Sequence, residues 1–114
     1  MREILRAKIH KATVTQADVS YVGSITIDEA LMEMIDLWSG EKVLVVDNTN
    51  GARLETYVIA GERDSGIIGM NGAAAHLIHT GDEIIIIAFE YGDRPNHAPK
   101  MILVDENNKF ERWL

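Results

Sequence analysis

Four consecutive isoleucines, Ile84 to Ile87, constrain this chain more than any other stretch. Successive side chains of a strand point to opposite faces, so a run that is apolar on both parities predicts a strand buried on both sides, at the centre of the fold. Short extended segments surround it. Ile4 to Val19 alternates loosely, with Lys8 and His10 on one parity and Ala7 and Ile9 on the other, and reads as a half-buried strand pair broken near Lys11. Lys42 to Val46 is a β-branched run, Asn50-Gly51 signals a hairpin turn, and Arg53 to Ala60 returns with Arg53 and Tyr57 on one face. Further short strands are expected at Gly66 to Gly69 and Lys100 to Val104, with an irregular loop over Gly92 to Pro99. Helical spacing is confined to Ile27, Leu31, Met34 and Ile35, with Thr26 and Glu29 as a capping box and a stop before Gly40. This reading sets Ser24 at the mouth of a strand-to-helix turn. Many short strands with little helix predict a mainly-β closed barrel with short helices.

The chain has 114 residues and fits one domain. It has no cysteine, which excludes disulfides, a thiol nucleophile and thiolate metal sites. No apolar run reaches the roughly 18 residues of a membrane span, and the start M-R-E-I-L-R lacks the core of a signal peptide, so a soluble cytoplasmic protein is expected. A net charge of -7 argues against nucleic-acid binding. Arg2, Arg6, Lys8 and Lys11 nevertheless crowd the first eleven residues against Glu3 alone. Such a cationic patch suits an anionic substrate that the rest of the protein would repel, although it equally describes a solvated strand face. His76 and His79 stand three apart with no third metal ligand in sight, and no metal is expected.

The remaining candidates are an ordered series: Lys8 and His10, then Tyr21-Val22-Gly23-Ser24, Thr49-Asn50-Gly51, Arg53, Thr56-Tyr57 and Asn71-Gly72-Ala73-Ala74-Ala75. Taken singly these are a turn, a hairpin, a good β-former and a tight helix start. In this order they resemble the pyruvoyl-dependent aspartate 1-decarboxylase family, from about Lys8 to about Phe89, with the resemblance fading beyond. The resemblance implies a small double-psi β-barrel and a self-cleavage between Gly23 and Ser24, giving a β chain (1-23) and an α chain (24-114). Ser24 would become the covalent pyruvoyl group that forms a Schiff base with L-aspartate and yields β-alanine and CO2 for pantothenate synthesis. It also implies a homotetramer with sites between subunits, and leaves open whether a helper protein assists maturation.

The chemistry needs these residue types. Loss of CO2 from an α-amino acid leaves electrons that no ordinary side chain absorbs, whereas a carbonyl condensed with the amine does. For cleavage, Gly23 offers no side chain to obstruct the Ser24 hydroxyl, and Thr56 with Asn71 matches the family's groups for the developing oxyanion. For substrate, Arg53 supplies a fork for a carboxylate, Lys8 a compact cation and His10 a third contact, while Gly72, Ala73 and Ala74 let a ligand approach the backbone. Tyr57 matches the family's proton donor to the α-carbon. Two other readings compete: a barrel that binds an anionic ligand and never cleaves, and a hydrolase using Ser24 directly, for which no His and carboxylate constellation is evident.

Overall fold

The structure is a computed structural model that describes residues 1–93 and 98–114; part of the loop expected over Gly92 to Pro99 lies outside them. The first arm is β1 (Arg2–Thr13) followed by β2 (Gln16–Asp18). Ala7, Ile9 and Ala12 are fully buried while Lys8 and His10 are half-buried on the other parity. Lys11 breaks the alternation with φ of +63°, and the pairing with strand Glu83–Gly92 slips between Ile9 and Ala12. That bulge is the expected break.

The segment after Ser24 departs from expectation. Ser24–Asp28 is a strand, β3, with Ile25 and Ile27 buried, and the helix α1 is only Glu29–Met34. Its cap is Asp28, whose carboxylate accepts from the Ala30 N–H at 2.9 Å, so the Thr26 and Glu29 box is not used. Tertiary pairing overrides the helical periodicity, because β3 lies between two strands, parallel to β5 (Arg53–Gly61) and antiparallel to β6 (Ile68–Asn71). Ser24 is therefore the first residue of an interior strand rather than the lip of a turn. Asp28, 1% exposed, also accepts from the backbone N–H groups of Asp64 and Gly66. Removing this carboxylate would strand three donors, a loss on the order of 3 kcal/mol.

β4 (Lys42–Asp47) and β5 form the expected antiparallel hairpin, but the connection is five residues, 48–52, rather than a two-residue turn. Only Gly51 has positive φ there (+82°), and the Asp47 carboxylate organises the loop by accepting from the Thr49 and Asn50 N–H groups. The expected Gly66 to Gly69 strand begins at Ile68 and runs to Asn71, followed by a single 3-10 turn at Gly72–His76. This shift sets Asn71 directly opposite Ser24.

The isoleucines lie in β7 (Glu83–Gly92), between β4 and β1. Ile84 and Ile86 are buried, but Ile85 and Ile87 are only half-buried, so the strand is not enclosed on both faces. A single sheet wrapped about one core has an outer face, and among the described residues no helical layer covers it. β8 (Lys100–Val104) and β9 (Phe110–Trp113) complete a sheet that, among the described residues, has nine strands in the order β2-β6-β3-β5-β4-β7-β1-β8-β9. The molecule is mainly β and barrel-like. One core, built from Ile9, Ile25, Ile27, Val45, Ile68, Met70, Ile86 and Ile102 with their neighbours, is shared by the strands and α1. Among the described residues no helix is long and apolar enough to cross a membrane.

Candidate functional site

Ser24 is fully buried, and Asn71 faces it across the β3–β6 pair. The Asn71 Nδ2 donates to Ser24 Oγ at 2.8 Å and to Thr26 Oγ1 at 2.9 Å. The Ser24 hydroxyl points its hydrogen at the Val22 carbonyl, 3.4 Å away. The preceding residues Tyr21, Val22 and Gly23 are exposed, so the Gly23–Ser24 peptide crosses from surface to interior.

The scissile candidate lies on the wall of a cleft of about 410 Å³. Gly23, Thr56, Tyr57, Asn71, Ala73 and Ala74 all line it. Strand register explains part of this assembly. β3 and β5 run parallel with Ile25 level with Val58, both fully buried, so the residues one step back, Ser24 and Tyr57, share the opposite face. Tyr57 is 40% exposed at the mouth of the cleft. Thr56 has the other parity and is half-buried; it lines the cleft, whereas Asn71 contacts the Ser24 hydroxyl itself.

Two glycines exchange the roles expected of them. At Gly23 an added Cβ would meet only the Asn71 carbonyl oxygen at 3.9 Å, ordinary contact, so the folded chain has room for a side chain there. Gly72 is the crowded one. Its φ is +68° and a Cβ would stand 2.7 Å from the Gly23 Cα. Gly72 was expected against substrate, and here its backbone lies against the candidate cleavage site. Thr26, which shares Asn71 with Ser24, is the site residue that sequence reasoning missed, having been read as a helix cap. The signal was its i+2 spacing from Ser24, legible only once the segment is known to be a strand.

Lys8, His10 and Arg53 do not line this cleft. Lys8 and His10 lie on β1, three strand steps from β5, or about 14 Å along the sheet. Arg53 is about 13 Å from Tyr57 along β5. Burial, followed by the charges of Lys8 and Lys11, pushes the His10 imidazole below its ordinary value against a weaker pull from Glu83. At neutral pH His10 is therefore an uncharged hydrogen-bonding group rather than another cation, and its Nδ1 is buried without a partner among the described residues. His79 Nε2 lies 3.0 Å from the His76 carbonyl oxygen, and among the described residues no cluster of three or more metal-ligating side chains occurs. A second hollow, of about 220 Å³, is lined by Glu3, Glu41 and Glu55 around Lys42. Three carboxylates, with Lys42 already paired to Glu55 at 2.9 Å, make it a poor receptor for an anion.

What the Ser24 cleft offers is a buried hydroxyl with a fixed donor, an adjoining surface peptide, and a phenol across the opening. Comparison with known proteins meets this geometry from the other side. The profile of the aspartate decarboxylase family matches residues 1–111, so the likeness extends past Phe89 into β9. A curated relative, aspartate 1-decarboxylase of Acetivibrio thermocellus, is 59% identical over 110 residues, covering 94% of this chain and 87% of its own length. With a match over nearly its whole length, the chain belongs to the aspartate decarboxylase family.

Proposed function

We propose that this protein decarboxylates L-aspartate to β-alanine and CO2, the step that feeds pantothenate synthesis, after cutting its own chain between Gly23 and Ser24. The observation that carries this reading is the Asn71 N–H on the fully buried Ser24 oxygen, behind the cleft wall that Gly23 and Asn71 form. In the first step Ser24 Oγ bonds to the Gly23 carbonyl carbon, its proton passes to the departing amide nitrogen, and the peptide becomes an ester. Loss of the residue-24 α-proton then expels the Gly23 carboxylate, leaving dehydroalanine at the new N-terminus. Addition of water and release of ammonia leave a pyruvoyl group on an α chain of residues 24–114, with residues 1–23 as the β chain.

The residues present fit that group. Position 24 is buried beside an amide donor, and the peptide before it opens on a cleft lined by small Ala73 and Ala74. Its carbonyl supplies the electron sink that decarboxylation needs. The chain's own groups do the rest. Thr56, which lines the cleft with Gly23, is the donor assigned to the transient oxyanion of cleavage, where one hydrogen bond would be worth on the order of 3 kcal/mol, while Asn71 supports it by holding the Ser24 hydroxyl. Tyr57, across the opening, holds the proton for the substrate α-carbon. Ala73 and Ala74, which line the cleft, leave room for substrate against the backbone, while Gly72 packs behind Gly23.

Arg53, Lys8 and His10 are the groups suited to the two substrate carboxylates, yet in one chain they lie outside the cleft. Their separation supports a homo-oligomer, a tetramer as in the family resemblance, in which a neighbouring copy completes the substrate site. The test is intact mass. The purified protein should resolve into two chains, the larger lighter by one ammonia than a serine-started chain, and Ser24→Ala should remain one full-length chain without decarboxylase activity. Two chains from Ser24→Ala, or an active uncut wild type, would sink the proposal.

A further inference from the structure

We propose that Thr26 is a positioning residue for the self-cleavage, acting through Asn71; this rests on the reading that the Gly23–Ser24 bond cuts itself. Ser24 and Thr26 are two apart on β3 and share a face, with Asn71 opposite Ser24 and Gly69 opposite Thr26. The Asn71 amide nitrogen carries two hydrogens, and it places one on each hydroxyl, at 2.8 Å and 2.9 Å. Asn71 also occupies the position before the 3-10 turn, where an asparagine ordinarily caps the following N–H groups, but its side chain makes no such bond. The carboxamide is committed to β3 instead.

Thr26 is itself held. The backbone of Gly61 packs on it so closely that a Cβ there would lie 2.8 Å from the Thr26 methyl and 2.5 Å from an Ile67 methyl. A β-branched side chain pinned by its methyl has a fixed χ1, so the hydroxyl has a fixed direction. Thr26 thus anchors one N–H of a side chain that is 95% buried and leaves the other aimed at Ser24. Without the Thr26 hydroxyl, that first N–H has lost its acceptor, and rotating the amide to find another takes the second N–H off Ser24 Oγ. Thr26 touches no reacting atom; its effect is on where Asn71 points.

The experiment follows cleavage of freshly synthesised full-length chain by intact mass. Wild type should convert and Ser24→Ala should not; a wild type that never cuts at position 24 overturns the self-cleavage reading itself. Given that conversion, Thr26→Val, which keeps shape and removes the hydroxyl, should cut roughly tenfold more slowly, the effect of one lost hydrogen bond. Thr26→Ser should restore most of the rate, and in an Asn71→Ala background Thr26→Val should slow cleavage no further. Wild-type rate in Thr26→Val, or equal slowing in the valine and serine variants, would overturn the inference and reduce Thr26 to packing. If the valine variant does not fold, Thr26→Ala against Thr26→Ser carries the same comparison.

Discussion

Gly72→Ala tests how tightly the candidate cleavage site is braced from behind. The added Cβ would stand 2.7 Å from Gly23 Cα, 2.8 Å from Gly23 N and 3.0 Å from Tyr21 O. All three are backbone atoms, so no side-chain rotation relieves the contact. An L-residue held at φ of +68° costs about 1–2 kcal/mol, and forcing an extra methyl into a packed site about 1–3 kcal/mol more. Together they remove about 2–5 kcal/mol from a total stability of about 5–15 kcal/mol. At about 4 °C per kcal/mol for a chain of this size, Tm should fall by roughly 8–20 °C. Calorimetry in a Ser24→Ala background keeps every sample uncut and separates folding from cleavage. Gly23→Ala serves as the matched control, because its Cβ meets one atom at 3.9 Å and should shift Tm by only a few degrees. A Gly72→Ala variant within a few degrees of its parent, or a Gly23→Ala variant that falls as far, would refute the crowding argument.

Tyr57→Phe should still cut at Gly23–Ser24, since the phenol is not assigned to cleavage, yet lose roughly a hundredfold or more in decarboxylation rate, as expected for a missing general acid; normal turnover would make Tyr57 a packing residue. Asp47→Asn should be more stable than wild type at pH 7. Burial, and then a hydrogen bond to the neighbouring carboxyl of Asp82, push Asp47 up, while the bond from Asp47 holds Asp82 below the usual carboxylate range. A raised folded value means that the protonated Asp47 stabilises fully below the unfolded carboxylate pKa and that this contribution is lost as pH rises through the folded value. Asparagine keeps the oxygen that accepts from the Thr49 and Asn50 N–H groups and donates permanently to Asp82, whose own contribution persists above the carboxylate range. Thermal melts should therefore show a gain at pH 7 that shrinks toward pH 4, and a gain independent of pH would remove the Asp47–Asp82 bond from the explanation.

The parts of the fold that were legible in the sequence are those governed by short-range pattern. Alternation placed Lys8 and His10 on one face of β1 and Arg53 and Tyr57 on one face of β5, and the break at Lys11 is a bulge. What the pattern could not carry is pairing. The Ile27, Leu31 and Ile35 spacing is real, but parallel pairing of residues 25–28 with 58–61 turns its first turn into strand. The same long-range contact sets Asn71 opposite Ser24, and so it, rather than any local signal, creates the Asn71 contact with both hydroxyls. Gly72 was singled out for its lack of a side chain, correctly, but the atom that needs the space is Gly23 Cα, which no spacing rule reveals.

The half-buried isoleucines belong to the same argument as the incomplete substrate site. Cross-strand partners share a face, and Lys8 pairs with Ile87, Ile87 with Leu44, Ile85 with Val46, and Val46 with Arg53. Lys8 and Arg53 therefore flank a band of half-buried Leu44, Val46, Ile85 and Ile87 on the outer face of the sheet. Ser24, at the start of β3, and Tyr57, in the middle of β5, share that outer parity. In the homo-oligomer proposed above, a second copy would bury this half-covered apolar band, bordered by the cations its own cleft lacks, and would bring Arg53 and Lys8 to a neighbour's Ser24. On that proposal the second parity of the isoleucine run, half-buried in one chain, would be covered between subunits. Its apolar character would then follow from the same demand that separates the cations proposed to hold substrate from the Ser24 cleft within one chain.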